Sequence, residues 1–346
     1  MLLWVDAGFD GIADIDSGSV DEAWRASVKR YTSFDAMAKA ITSGAPQKAT
    51  VRGFVSSMLD ACQASEAAWI SVPQLPIDGG TRGRPINRAL AEAAGEWRAR
   101  SSFSGKLILP LIVSSSKLIS SKTARNPLVA LAKQCREKSQ ADGLWTVDAG
   151  LSDEHGSAKL LEGKVAAVLA LHEELSENMD VPIRVGGPYW GTNLLLWAKG
   201  LIDYSAIGIG SGYQYLRSGG RSMSPSARIA IPSLKRRVLC DPALWAWMDQ
   251  AMAVLGPDHP VSRELAGLQR RSTSLSEPEH AKQQVVSFYR EWTQRLAALP
   301  AAGRPMGLFQ DLSAAYAIGR SLPDLPEGGP NRRPESIAKP LMLNCL

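Results

Sequence analysis

Short apolar runs alternate along the chain with longer amphipathic stretches, the pattern of a repeated strand–helix unit. Strands are predicted at Leu2–Asp6, Ala68–Val72, Lys106–Val113, Leu144–Asp148, Pro182–Val185, Ala206–Ile209 and Arg228–Ile231. Helices are predicted between them at Val20–Thr42, Asn87–Arg100, Asn126–Ala141, Lys159–Asn178 and Asn193–Lys199. The first of these opens behind Ser19 as a cap and carries Asp21 and Glu22 in its first turn. One stretch is ambiguous: Lys48–Arg52 fits a strand, while Val51–Cys62 fits a helix.

Seven or eight strands, most followed by a helix, predict a (β/α)8 TIM-like barrel rather than an open doubly wound sheet. The glycine fingerprints of a nucleotide-binding open sheet are missing from the first strand–helix turn. After Cys240 the pattern becomes helical only: Pro242–Leu255, Val261–Ser272, Pro278–Leu299 and Met306–Arg320. Trp245, Trp247, Phe288, Tyr289 and Trp292 are the aromatic anchors with which these helices pack. The predicted organisation is a barrel over residues 1–240, a helical extension over 241–321, and a loop-rich tail over 322–346.

Composition narrows the class. With 45% hydrophobic and 21% charged residues, the chain has the make-up of a globular protein with a substantial core. No apolar run approaches the roughly 20 residues of a membrane span, and Met1–Asp6 lacks the basic region of a secretory signal. The four cysteines form no CxxC pair, and the four histidines form no HExxH or similar pair. The expectation is a cytoplasmic protein with neither a metal site nor a cofactor. A net charge of +5 favours a polyanionic partner, provided the positive residues gather.

In a barrel, functional groups stand where strands end. Two strands close on the same four residues, Val5-Asp6-Ala7-Gly8 and Val147-Asp148-Ala149-Gly150. A single aspartate there is an ordinary turn residue. Two in one context make Asp6 and Asp148 candidate catalytic carboxylates. Gly187, Tyr189 and Trp190 lie in a glycine-rich loop after Pro182–Val185; its glycines let a ligand approach, and its rings can stack on a planar one. Gly210, Tyr213 and Gln214 form a second such loop after Ala206–Ile209. Arg82, Arg84, Arg217, Lys235, Arg236 and Arg237 make up a candidate phosphate-binding rim.

The order of these segments resembles that of the tRNA-guanine transglycosylase superfamily, (β/α)8 proteins that exchange a base in nucleic acid. Asp6-Ala7-Gly8-Phe9 is similar to the family's Asp-Ser-Gly-Gly-Phe motif, and Gly150-Leu151-Ser152-Asp153-Glu154 to its Gly-Leu-Ser-x-Gly-Glu loop. Trp69–Gln74, the Arg88–Arg98 helix with Trp97, and Gly187–Gly200 followed by Ile202-Asp203 resemble further segments. The resemblance implies that Asp6 recognises a base. It supplies no counterpart for Asp148. The family's nucleophilic aspartate would fall near Ile207–Ser211, which reads Ile-Gly-Ile-Gly-Ser, and its CxCxxC zinc ligands have no match here.

Three functions fit these residues. One is an enzyme acting on a nucleobase, nucleotide or nucleic acid. A second is a non-catalytic barrel that binds nucleic acid or a protein partner in a modification or defence system. The third is a barrel enzyme for a small phosphorylated or carboxylated substrate.

Overall fold

In the computed structural model, the described residues are 4–5, 47–77, 83–113, 116–148, 158–187, 190–206, 227–326 and 332–346. The chain divides into two compact units. The first comprises Met1–Gly150, Ala170–Gly187 and Tyr215–Arg221; the second comprises Leu151–Leu169, Pro188–Gln214 and Ser222–Leu346. Segments of the two units therefore interleave along the chain, and no single cut near residue 240 separates them.

The first unit is an α/β structure built on a curled parallel sheet of five strands. These are β1 (Trp4–Val5), β2 (Trp69–Ser71), β3 (Lys106–Val113), β4 (Gly143–Asp148) and β5 (Ile183–Gly186), paired in chain order. Helices stand between them: α1 (Lys48–Gln63), α2 (Gly83–Arg98) and α3 (Lys122–Ser139). The ambiguous stretch near residue 48 is helical, and α1 buries Val51, Phe54, Val55, Met58 and Leu59 along one stripe. Every residue of β3 after Lys106 is buried, as a strand covered on both faces requires. Each large apolar side chain there contributes roughly 1.5–3 kcal/mol relative to exposure.

A proline sits inside this central strand, and the register explains how it is tolerated. The carbonyls of Ile108 and Ile112 accept from Val72 and Ile77, on the β2 side. A period of two turns the nitrogen of Pro110 the same way. Strand β2 ends at Ser71, paired with Ile108, so the position facing Pro110 carries no ladder bond to lose. The chain bends away through Pro73 and Pro76 before rejoining β3 at Ile77.

The second unit contains α5 (Trp190–Ala198), the two-residue strand β6 (Tyr204–Ser205), a β-hairpin and a set of helices. Helix α4 (Ala158–Asn178) begins in this unit's sequence and ends in that of the first. The hairpin corrects the expected topology. Arg228–Ile231 (β7) is a strand, but it pairs antiparallel with Arg236–Leu239 (β8) in a sheet of its own. Helices α6 (Pro242–Leu255), α7 (Pro260–Gln269), α8 (Ser272–Leu275), α9 (Pro278–Ala297) and α10 (Arg304–Ser321) follow. Ile229, Ile231, Val238, Leu244, Trp247 and Leu265 share one buried cluster.

Among the described residues of the tail, 334–343 are ordered structure rather than loop. A 3-10 turn at Pro334–Ser336 leads into α11 (Ala338–Leu343), and Ile337, Ala338, Leu341 and Cys345 are buried. Gly319 of α10 allows the approach. A Cβ there would lie 2.7 Å from the backbone nitrogen of Glu335. None of the described helices is long and apolar enough to cross a membrane.

Candidate functional site

The carboxyl end of β4 is where the first unit gathers buried polar groups. Alternation puts Leu144, Thr146 and Asp148 on one face of this strand. Thr146 is 1% exposed and Asp148 is 2% exposed. The apolar pattern of that face thus gives way to a hydroxyl and then a carboxylate as the strand ends. The side chain paired with Asp148 on β3 is Val113, and the residue paired with Thr146 on β5 is Gly186, which has none. Gly186 therefore puts no side chain beside Thr146.

Gly187 follows at the end of β5. Its φ of 106° lies in the left-handed region that favours glycine. Its N–H donates to the Thr146 carbonyl at 3.1 Å, and its own carbonyl accepts from Trp145 Nε1 at 2.7 Å. The chain leaving β5 is fixed against β4 at the level of Thr146.

The loop after β2 is held by amide side chains. Asn87, buried in α2, accepts from the Leu75 N–H at 2.7 Å and donates to the Leu75 carbonyl at 3.0 Å, as a paired strand would. Gln74, 5% exposed, donates to the carbonyls of Pro73 and Asn87. One donor bond of its amide goes to the loop itself and the other to α2. Neither Asn87 nor Thr146 stood out in the sequence. The available signal was an asparagine within the apolar stripe Ile86–Leu90–Ala94 of an otherwise amphipathic helix.

The remaining predicted site residues divide by location. Asp6, Tyr189, Gly210, Tyr213, Gln214, Arg82 and Arg217 lie outside the described residues. Trp190 is the first residue of α5. Arg84 lies in the first turn of α2 and is partly exposed, and its Nε has no partner among the described residues.

The three charges after β7 are a correction. Arg236 and Arg237 are 1% and 3% exposed, out of reach of a phosphate backbone. Arg236 Nη1 donates to the Arg333 carbonyl at 3.0 Å and to Ser336 Oγ at 3.3 Å, fastening the tail. Lys235 takes φ 53° to close the hairpin. Its ammonium lies 5.3 Å from the Phe288 ring centre and 5.0 Å from that of Trp292. Burial holds its pKa below the ordinary lysine value, against the opposing pull of Asp311. These residues build the second unit and do not form a solvated rim.

The second unit also contains an open cleft of about 710 Å³ between α7 and α9. Its wall includes Glu264, whose Oε1 accepts from the Ser233 N–H at 3.0 Å. Burial raises the pKa of Glu264 above the ordinary carboxylate value, opposed by the Ser233 hydrogen bonds. Gln284 closes the hairpin side of the cleft by bonding both the N–H and the carbonyl of Ala230. No cluster of three or more histidine, cysteine or acidic residues able to hold a metal occurs among the described residues.

Comparisons with protein-family models, with curated proteins and with solved structures find no match for this chain.

Proposed function

We propose that the protein is an enzyme acting on a nucleobase, nucleotide or nucleic acid, with its chemistry at the carboxyl end of β4. The observation that carries this reading is Asp148: a carboxylate almost fully withdrawn from water at a strand end, beside two glycines. A carboxylate held at such a strand end can act on a bound substrate as base or nucleophile. The reading takes the five-stranded sheet as part of a closed (β/α)8 barrel, the scaffold on which strand-end carboxylates do such work.

Asp148 is assigned the role of nucleophile or general acid/base, and Asp6 that of recognising the base edge. Gly187 gives the ring access. Arg82, Arg84 and Arg217 hold phosphate. In a transglycosylase-like step, the bond from C1′ to the base nitrogen breaks and its electron pair leaves with the base, which takes up a proton. A new bond from C1′ then forms to the carboxylate or to an incoming base.

The test is incubation of the wild type and of Asp148→Asn with transfer RNA and single-stranded oligonucleotides, in the presence of isotopically labelled free bases. Incorporation or release of base by the wild type, reduced at least 100-fold in Asp148→Asn with unchanged circular dichroism, supports the assignment. Binding without turnover in the wild type would instead leave a non-catalytic barrel. Absence of any binding to nucleobase, nucleoside or oligonucleotide ends this reading.

A further inference from the structure

Residues 332–346, in the second unit, depend for their order on what they pack against. Helix α11 has six residues. An isolated helix needs about 12–15 residues to persist in water, so α11 is not stable by itself. The buried side chains that hold it are few: Ile337, Ala338, Pro340, Leu341 and Cys345. A segment with so little buried apolar surface lies at the low end of local opening free energies.

Two helices of the same unit receive it. Gly191 lies in the first turn of α5, and a Cβ there would run into the Leu341 Cδ1 methyl. Gly319 of α10 admits the backbone of Glu335 in the same way. Helices α5 and α10 also meet each other, with the Arg304 guanidinium 4.6 Å from the Trp197 ring centre. Beyond Leu341, the Cys345 thiol is buried, and burial pushes its pKa up to about 12 against the pull of the Lys199 ammonium. Lys199 follows the last residue of α5, so the segment reaches both ends of that helix. Helix α5 in turn holds the end of β6, where Asn193 Nδ2 donates to the Ala206 carbonyl at 3.2 Å.

The other fastening is polar, which makes it reversible. Arg236, the largest fully buried side chain among the described residues, donates to Arg333, Pro334 and Ser336 of the segment. When the segment lifts, water replaces these acceptors. A hydrogen bond exchanged for one to water changes the free energy little. The guanidinium therefore favours closure without locking it.

We propose that residues 332–346 form a clasp, fastened at Arg236 and seated on Gly191 and Gly319, that opens while the rest of the second unit stays folded and loosens α5 as it does so. The inference is independent of the chemistry proposed at β4.

The full chain carries its own probes. Cys345 is buried by the closed clasp, Cys62 and Cys135 are buried in the first unit, and Cys240 is partly exposed. The wild type is pulsed with iodoacetamide at pH 8, and alkylation of each cysteine is read by peptide mass spectrometry. Cys345 should react at least tenfold faster than Cys62 and Cys135, and more slowly than Cys240. Leu341→Ala, which empties the seat on α5, should speed Cys345 at least fivefold and leave Cys62 and Cys135 unchanged. Arg236→Gln should do the same. If that variant fails to fold, seen as Cys135 reacting as fast as Cys240, Leu341→Ala decides the matter. In Leu341→Ala, hydrogen exchange should accelerate at least fivefold in the amides of residues 194–198 and remain as in the wild type in α6. Cys345 reacting no faster than Cys135, or exchange in α5 that ignores Leu341→Ala, overturns the proposal. Acceleration of α6 together with α5 overturns it as well, because the second unit then opens as a whole.

Discussion

His172 shows how much a single buried group can set. It is 4% exposed, and its Nε2 has no partner among the described residues. Burial, with a smaller contribution from the Arg184 charge, holds its pKa down to about 3. An unfolded imidazole titrates near 6.5. Between these values the unfolded chain takes up a proton that the folded chain refuses. The stability this group preserves is therefore complete above pH 6.5 and drains away as the pH falls toward 3. At pH 5, about 1.5 pH steps below the unfolded value, the loss is on the order of 2 kcal/mol. Urea midpoints at pH 7 and pH 5 should differ more in the wild type than in His172→Leu. Equal shifts in the two proteins would show that His172 carries none of the acid sensitivity. At this same scale the sequence was uneven. Asp148 was legible because it ends an apolar run. Arg236 was not, since three adjacent charges ordinarily mark a solvated face. The acceptors that bury it come from Arg333 and Ser336, about a hundred positions away.

At the scale of elements, boundaries were legible where one local cause fixed them. Predicted and observed limits coincide for Lys106–Val113, an unbroken apolar run, and for Pro242–Leu255. There the Asp241 side chain accepts from the Leu244 N–H at 2.9 Å, and proline starts the helix. The hairpin at Arg228–Leu239 was missed because its turn residue in the left-handed region is Lys235, not a glycine or asparagine that would have announced a turn. The helix in the tail was missed because it is only six residues long and packs through a close approach to Gly319 that no local pattern announces. Gly95 is the same kind of contact in the first unit. A Cβ at this position of α2 would stand 2.0 Å from the Lys138 carbonyl oxygen and 3.4 Å from the Ser139 Cα of α3. Helix propensity favours alanine by about 1 kcal/mol, whereas overpacking against backbone costs roughly 1–3 kcal/mol and more when the backbone must move. Packing wins, so Gly95→Ala should lower stability by about 1–2 kcal/mol in chemical unfolding. A variant as stable as the wild type would mean that α2 and α3 can separate freely.

For the whole molecule, alternation of strand and helix correctly indicated an α/β unit with a parallel sheet, because period and composition report layers directly. They do not report pairing partners, so a strand of the antiparallel hairpin was counted toward the barrel. Net charge raises the same difficulty: +5 is a property of the entire chain, but only cations at the surface can meet a polyanion. With Arg236 and Arg237 buried, the proposed phosphate contacts reduce to Arg82, Arg84 and Arg217. Affinity for a single-stranded oligonucleotide should then fall with salt at about 0.7 log units of affinity per log unit of salt for each phosphate contacted. Replacing Arg82 and Arg84 together with glutamine should flatten that slope by about 1.4. Asp148→Asn should leave the slope unchanged, since an aspartate neutralises no phosphate. Arg236→Gln should also leave it unchanged while lowering stability by about 1–3 kcal/mol, because it strands the Arg333 and Ser336 acceptors. Anisotropy titrations of these four proteins at several salt concentrations separate the roles. A slope unaltered by Arg82→Gln/Arg84→Gln but reduced by folded Arg236→Gln would return phosphate binding to the second unit and remove it from the strand ends of the first.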